Sequence, residues 1–227
     1  MRRRRRPPPK KPATRRGGPR PGADPGGTRV AVIAAAADAF SRRGFDGVTV
    51  DDIAKTAGVN KAMIYYHFAD KLTLYRHIVC AMLDEAGARV AAIVAEPLPP
   101  AEKLQRFIAG FIALADSRPY FPPLMLREMA EGALHLDAEI LARMRNVFLA
   151  FARVLQEGQE TGVFRRVHPL LAYLSVMGPV LVNAARERAA AQPGRGEFPM
   201  FAQIPHAELT RHMQHVALAM LQEDARR

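Results

Sequence analysis

Apolar residues recur three and four positions apart along almost the whole of this chain from Thr28 onward. No stretch shows the sustained alternation that a half-buried strand requires. That single period predicts an all-α protein and leaves no material for a sheet. Gly44, Gly58, Pro97 to Pro100, Pro119 to Pro123, Gly162 and a Pro/Gly-rich loop after Ala191 divide the pattern into separate helices. Thr28 can cap a first helix whose face carries Val30, Ile33, Ala36, Ala37 and Phe40, ending at Gly44. Thr49 caps a short second helix, with Asp51 and Asp52 in the favourable first turn. Asn60 caps a third to about Phe68, and Asp70 opens a long fourth whose stripe runs Tyr75, Ile78, Val79, Met82, Leu83, Ala86, Val90 and Ile93.

Further helices are predicted over 101–116, 124–131, 138–160, 168–191 and 206–223. The helix over 168–191 is apolar around nearly its whole circumference, which predicts burial on several sides, with a bend at Gly178-Pro179. The last helix places Leu209, Met213, Val216, Met220 and Leu221 on one stripe.

The charge is uneven. The formal net charge is +11, from 33 Lys and Arg against 22 Asp and Glu. Residues 1–27 hold ten of the basic residues and one acid, whereas residues 78–227 hold sixteen of each. The first 27 residues carry seven prolines, five glycines and almost no apolar side chain, so a disordered basic tail is expected. Three readings of it stand side by side: a polycation that adds salt-sensitive DNA affinity by releasing counterions, a solubilising arm, or an extension read from an upstream start codon. No apolar run nears the ~20 residues of a membrane span. No apolar segment follows the basic run as a secretory signal requires. The lone Cys80 excludes a disulfide framework and a cysteine-based zinc site. A soluble, cytoplasmic protein is expected.

The segment Thr49 to Phe68, TVDDIAKTAGVNKAMIYYHF, joins two short helices through a glycine turn. This is a helix-turn-helix, which presents its second helix to the DNA major groove. At 100° per residue, Ile64 and Phe68 lie about 40° apart and pack inward. Ala62, Met63 and Tyr66 then face the groove, with Lys61 in the first turn where bases are met. Tyr65 and His67 flank that face within reach of phosphates, and Thr49 and Lys71 offer further phosphate contacts.

The stretch Thr28 to Leu74, with AAADAFSRRGFDGVTV and then IAKTAGVNKAMIYYHFADKLTL, resembles the DNA-binding domain of the TetR family of bacterial transcriptional regulators. The resemblance implies that Lys61, Ala62, Met63 and Tyr66 approach base edges, while Thr49, Tyr65, His67 and Lys71 hold the backbone, with Asn60 as the cap. It departs from the family's usual small residues, often Gly then Thr or Ser, at Ala62 and Met63. Met63 offers apolar contact, suited to a thymine methyl.

The resemblance also implies a three-helix DNA-binding domain over 28–74, followed by a larger helical-bundle domain over 75–227 for ligand binding and dimerisation. Two half-sites about 34–36 Å apart demand a two-fold dimer. The last two long helices form its expected seam, with Ser175, Gly178, Ala184 and Ala185 permitting close approach. An unidentified, hydrophobic small-molecule effector is expected in a cavity between helices. Its expected lining is Phe107, Phe111, Met125, Met129, Met144, Phe148, Phe151 and Met177, with polar guidance from Arg127, His135, Asn146 and Tyr173.

Other chemistries find little support. His212 and His215, with His206 two turns back, have no carboxylate or cysteine clearly placed beside them and read as exposed or interface histidines. Cys80 beside His77 reads as a small buried residue, and Glu128 with Glu131 as a solvated pair. No metal or cofactor is implied. The chain has no P-loop, no GxSxG and no GxGxxG, and nothing makes a case for an enzyme. The sequence thus predicts a homodimeric repressor on a palindromic double-stranded operator, released when an effector favours another dimer shape, a coupling of about 1–3 kcal/mol. The alternative is an architectural, sequence-blind DNA binder working through its Arg-rich tail.

Overall fold

Helix-forming punctuation is visible at nearly every boundary. The computed structural model describes residues 25–191, 194, 198, 200 and 203–222, so the expectation of a disordered tail lies outside the described residues, apart from Pro25 to Gly27. Among the described residues the elements are α1 (Pro25–Arg43), α2 (Val50–Ala57), α3 (Lys61–His67), α4 (Lys71–Ala95), α5 (Pro100–Ser117), α6 (Phe121–Ala130), α7 (Ala138–Glu160), α8 (Pro169–Ala190) and α9 (His206–Leu221), with no strand. No described helix is long and apolar enough to cross a membrane.

Local chemistry fixes most starts. Asp70 accepts from the Thr73 N–H at 2.6 Å and Asp137 from the Ile140 N–H at 3.0 Å, each satisfying an orphan donor of a first turn. Pro100, Pro122 and Pro169 occupy first-turn positions, where the missing N–H costs nothing. For the same reason α6 begins at Phe121, three residues before the position expected from sequence: its prolines start the helix and do not precede it. Similarly α1 begins at Pro25, so Thr28 is an interior helical residue, 8% exposed, and not a cap. The inward face of α1 runs Val32, Ala36, Ala37 and Phe40, at spacings of three and four; Val30 is 66% exposed.

Two apolar clusters build the core. The first joins α1, α2 and α3 to the first half of α4, to Phe121, Leu124 and Met125 of α6, and to Ile140 and Val147 of α7. The second joins Val90 at the far part of α4 to α5, the second half of α7, Phe164, α8 and α9. The first cluster therefore continues past Leu74 without a break, and α4 belongs to both. Ion pairs Arg76–Asp137 (3.2 Å) and Arg143–Asp84 (2.7 Å) match α4 and α7 at nearly constant offset, so the two helices run parallel.

Three sequence expectations fail in this packing. Glu128 is not solvated: it is 1% exposed, with Tyr75 Oη donating to its Oε1, His135 Nδ1 at 2.8 Å from the same oxygen and the His135 N–H donating to Oε2 at 3.3 Å. Burial, then the bond to Glu128, pushes the Tyr75 phenol well above its usual range. On α8 only Ala172, Val176, Met177 and Val180 are buried, while Leu170, Leu171, Leu174 and Val182 lie open, so one side of this helix has no cover among the described residues. On α9 the buried stripe includes Ala217, and Val216 is exposed.

Two outcomes test this account. A Cβ on Gly158 would lie 2.0 Å from Cδ2 of the buried Phe164 ring, which cannot leave cheaply. Gly158→Ala should lower stability by about 1–3 kcal/mol in urea unfolding. The Thr73 N–H holds the Asp70 carboxyl below its usual range. A depressed folded-state pKa gives stability that is present at neutral pH and lost as pH falls through the folded value. Asp70→Ala should therefore melt below the native chain at pH 7, and the gap should close towards about pH 2.

Candidate nucleic-acid interface

Two helices of eight and seven residues are too short to persist alone, so caps and anchors hold them. Thr49 and Asp52 form a reciprocal capping box: Asp52 N–H donates to Thr49 Oγ1 and Thr49 N–H to Asp52 Oδ2, both at 3.1 Å. The bond from the Thr49 backbone, with lesser help from Arg43 at 3.3 Å, lowers the Asp52 pKa. Gly58 ends α2 at φ +68°, a left-handed conformation that glycine adopts without a Cβ clash. Asn60 accepts from the Ala62 N–H at 2.9 Å and starts α3. Ile64 and Phe68, at 1% and 4% exposure, pin α3 to the first cluster.

With those anchors inward, the opposite face stands clear. Tyr66 is 77% exposed and Tyr65 48%, Ala62 is exposed and Met63 half-buried. Thr49 and Asn60 are exposed at the two helix starts. The surface is therefore aromatic and apolar at its centre.

The cations behave differently from the sequence expectation. Lys61 Nζ lies 2.7 Å from Asp51 Oδ2, and that bond raises its pKa. Lys71 was expected at a phosphate. In the structure its Nζ donates to the carbonyl oxygens of Phe45 and Val48, both at 3.0 Å, and sits 4.0 Å from the centre of the Phe45 ring. It closes the α1–α2 turn from below. His67 was likewise expected at a phosphate, but its Nε2 is buried with no hydrogen-bond partner, between the Tyr66 and Phe68 rings. Sequence reasoning missed the paired roles of Asp51 and Asp52. The Thr-x-x-Asp spacing at 49–52 was the available signal for the latter.

The residues expected around an effector do not converge. Phe107, Phe151, Met177 and Tyr173 belong to the second cluster, with Phe111 between the two, whereas Met125 and Met144 belong to the first. The Phe107 ring lies 4.8 Å from Phe111 and 5.3 Å from Phe151, and Tyr173 lies 5.4 Å from both Phe148 and Phe151, so aromatic rings fill the bundle. Burial raises the Tyr173 pKa to about 12. The void beside Phe107 and Phe111 is about 10 Å³, too small for a ligand. Met129 is 56% exposed, Arg127 is paired with Glu131 at 3.5 Å, and His135 is taken by Glu128. Asn146 faces a groove between α4 and α7.

Comparison with known proteins agrees with this architecture. Residues 32–78 match "Bacterial regulatory proteins, tetR family" and residues 100–191 match "Tetracyclin repressor-like, C-terminal domain". HTH-type transcriptional regulator RutR of Escherichia coli O157:H7 is 30% identical over 117 residues, 52% of this chain and 55% of that protein. The biofilm operon negative transcriptional regulator IcaR of Staphylococcus aureus (strain Newman) is 47% identical over 45 residues, 20% of this chain and 24% of that one. The matches thus span about half or less of these curated relatives. In fold, the ketosteroid transcriptional regulator KstR2 of Mycobacterium tuberculosis superimposes with a TM-score of 0.71 at 22% identity, covering 86% of this chain and 95% of that one. FadR from Bacillus subtilis, solved in complex with stearoyl-CoA, gives 0.65 at 18%, covering 84% and 98%. With both characteristic regions present in order on one helical scaffold, the chain belongs to the TetR family of bacterial regulatory proteins.

Proposed function

We propose that this chain is a DNA-binding transcriptional regulator, most simply a homodimeric repressor of a palindromic operator that a small apolar effector releases. The observation that carries the reading is the outward face of α3. Two tyrosines and an alanine are held open on a doubly anchored helix, and nothing among the described residues covers them. Residues 28–74 form the DNA-reading unit in this proposal, and residues 75–227 the effector-binding and dimerising one. The exposed Leu170, Leu171 and Leu174 of α8 and Val216 of α9 support the seam, because an apolar strip of this kind marks an interaction surface. IcaR is described as a negative regulator and FadR was solved with an acyl ligand, which supports repression and an apolar effector. The protein acts where the chromosome is, in the cytoplasm.

Selection of duplexes from a random library, followed by footprinting and sedimentation, tests this. An enriched palindrome bound by a particle of twice the chain mass is expected; no enrichment, or a working monomer, overturns it. Tyr66→Ala should leave melting unchanged and relax discrimination at its base position by roughly tenfold or more. Lys71→Met strips two carbonyls of their donor. It should lower the melting temperature and weaken all sequences alike, with an unchanged salt slope; a slope smaller by about 1 would restore its phosphate role. Deleting residues 1–27 should flatten the salt dependence and keep the sequence preference. Loss of all binding would favour the architectural reading.

A further inference from the structure

The face shared by α4 and α7 carries a groove of about 660 Å³, well inside the roughly 300–1,000 Å³ usual for ligand sites. Its floor is apolar and narrow: Leu83, Gly87 and Ala91 from α4 meet Leu149 and Ala150 from α7. A Cβ built on Gly87 would find no heavy atom within 4 Å, so the space above the floor is open. The two ends differ in charge. At the end near the DNA-reading unit, Arg143 is neutralised by Asp84 at 2.7 Å and Glu139 at 2.8 Å. Ten residues on, about 15 Å along α7, Arg153 lines the other end and makes no ion pair or hydrogen bond among the described residues. Asn146, also without a partner, stands between them. Among the described residues the only carboxylate lining the groove is Asp84, already paired, so the groove is an apolar trough with one unpaired positive charge at its far end.

We propose that this groove, and not the interior of the bundle, receives the effector, and that the effector is an amphipathic organic anion. Its body, up to about 15 Å long, lies on Gly87, Ala91 and Ala150, and its anionic head pairs with Arg153. This deepens the regulator reading and rests on it for the ligand's regulatory role. Three observations select this occupant. The aromatic core beside Phe107 and Phe111 holds a void of only about 10 Å³. The free guanidinium calls for a negative group, because a charge-assisted bond to it is among the stronger polar contacts. The apolar lining is small beside the roughly 800 Å² per partner of a stable protein interface, which disfavours a second copy of the chain. The site also lies where it can act. Both helices begin at the junction that seats the DNA-reading unit, α4 with Tyr75 and Arg76 and α7 with its cap Asp137, so a body wedged between them bears on both.

Isothermal titration of the full chain, without DNA, tests the proposal with dodecanoate, dodecyl phosphate and dodecyltrimethylammonium below their micelle concentrations. One anion should bind per chain, with the cation at least about tenfold weaker. The preferred anion identifies the head group as carboxylate or phosphate. Arg153→Ala should weaken anion binding about tenfold. Ala91→Phe, at an exposed helical position that fills the trough, should abolish it, with melting curves confirming that both variants fold. Equal binding of the cation, undiminished binding to Ala91→Phe, or no binding at all overturns the assignment. So does a change in particle mass in Ala91→Phe, which would make the groove an interface between copies. Because the readout needs no DNA, ligand binding without operator selection would strike the regulator reading alone, and the reverse would strike the groove alone.

Discussion

A carboxylate sealed from water must be met by donors, and in this protein the meeting at Glu128 sets the geometry of everything around it. Its partners come from α4 (Tyr75) and from the connection between α6 and α7 (His135). The His135 ring lies 4.3 Å from that of Phe45, in the turn between α1 and α2, and Phe45 in turn meets Tyr75 edge-on at 5.3 Å. Arg76 adds a bond to the His135 carbonyl at 3.1 Å and an ion pair to Asp137, the cap of α7. One polar knot thus fixes the start of α4, the end of α6, the start of α7 and the turn that supports the helix-turn-helix. Removing Tyr75 or His135 deprives the buried Glu128 carboxyl of a donor, which is why such a network holds a single arrangement.

The recognition surface depends on that knot at one remove. Helix α3 has seven residues and owes its orientation to Ile64 and Phe68, both seated in the cluster that also contains Tyr75, Leu124 and Ile140. A shift of α4 or α6 is therefore a shift of the seat under α3. A second tie runs from the other end of the chain: Arg188 of α8 reaches Asp38 at 2.9 Å and the buried Ser41 at 2.7 Å, both on α1. The helix with the uncovered leucine strip is thereby joined to the first helix of the DNA-reading unit. The exposed leucine strip of α8 and the helices that flank the groove, α4 and α7, are thus joined to the seat of α3 by continuous contacts.

The helix-turn-helix was legible because its determinants are short-range. Thr49, Gly58, Asn60 and Asp70 act within three or four residues, and Ile64 and Phe68 share a face by period alone. The expectations that failed share the opposite property. Lys71 finds carbonyls 26 and 23 residues back, and Glu128 finds Tyr75 at a separation of 53. No local pattern distinguishes a lysine aimed at phosphate from one aimed at its own backbone, or a solvated glutamate from a sealed one. The supposed effector cavity shows the same limit from another side. Phenylalanines at helical spacing look alike whether they line a hole or fill it, and here Phe107, Phe111 and Phe151 fill it.

By itself, then, the sequence determined the all-helical class, nearly every helix boundary, and which side of α3 turns outward. Caps, prolines, glycines and a period of 3.6 act through neighbouring residues and need no knowledge of the rest of the chain. Only the tertiary structure decided that Lys71 and His67 face the protein, that Glu128 is the buried hub, that one apolar side of α8 is left exposed among the described residues, and that a groove opens between α4 and α7 while the rings of Phe107, Phe111 and Phe151 pack together. Each of these is set by where distant segments come to rest against one another, and that is a property of the packed whole, invisible in any local stretch.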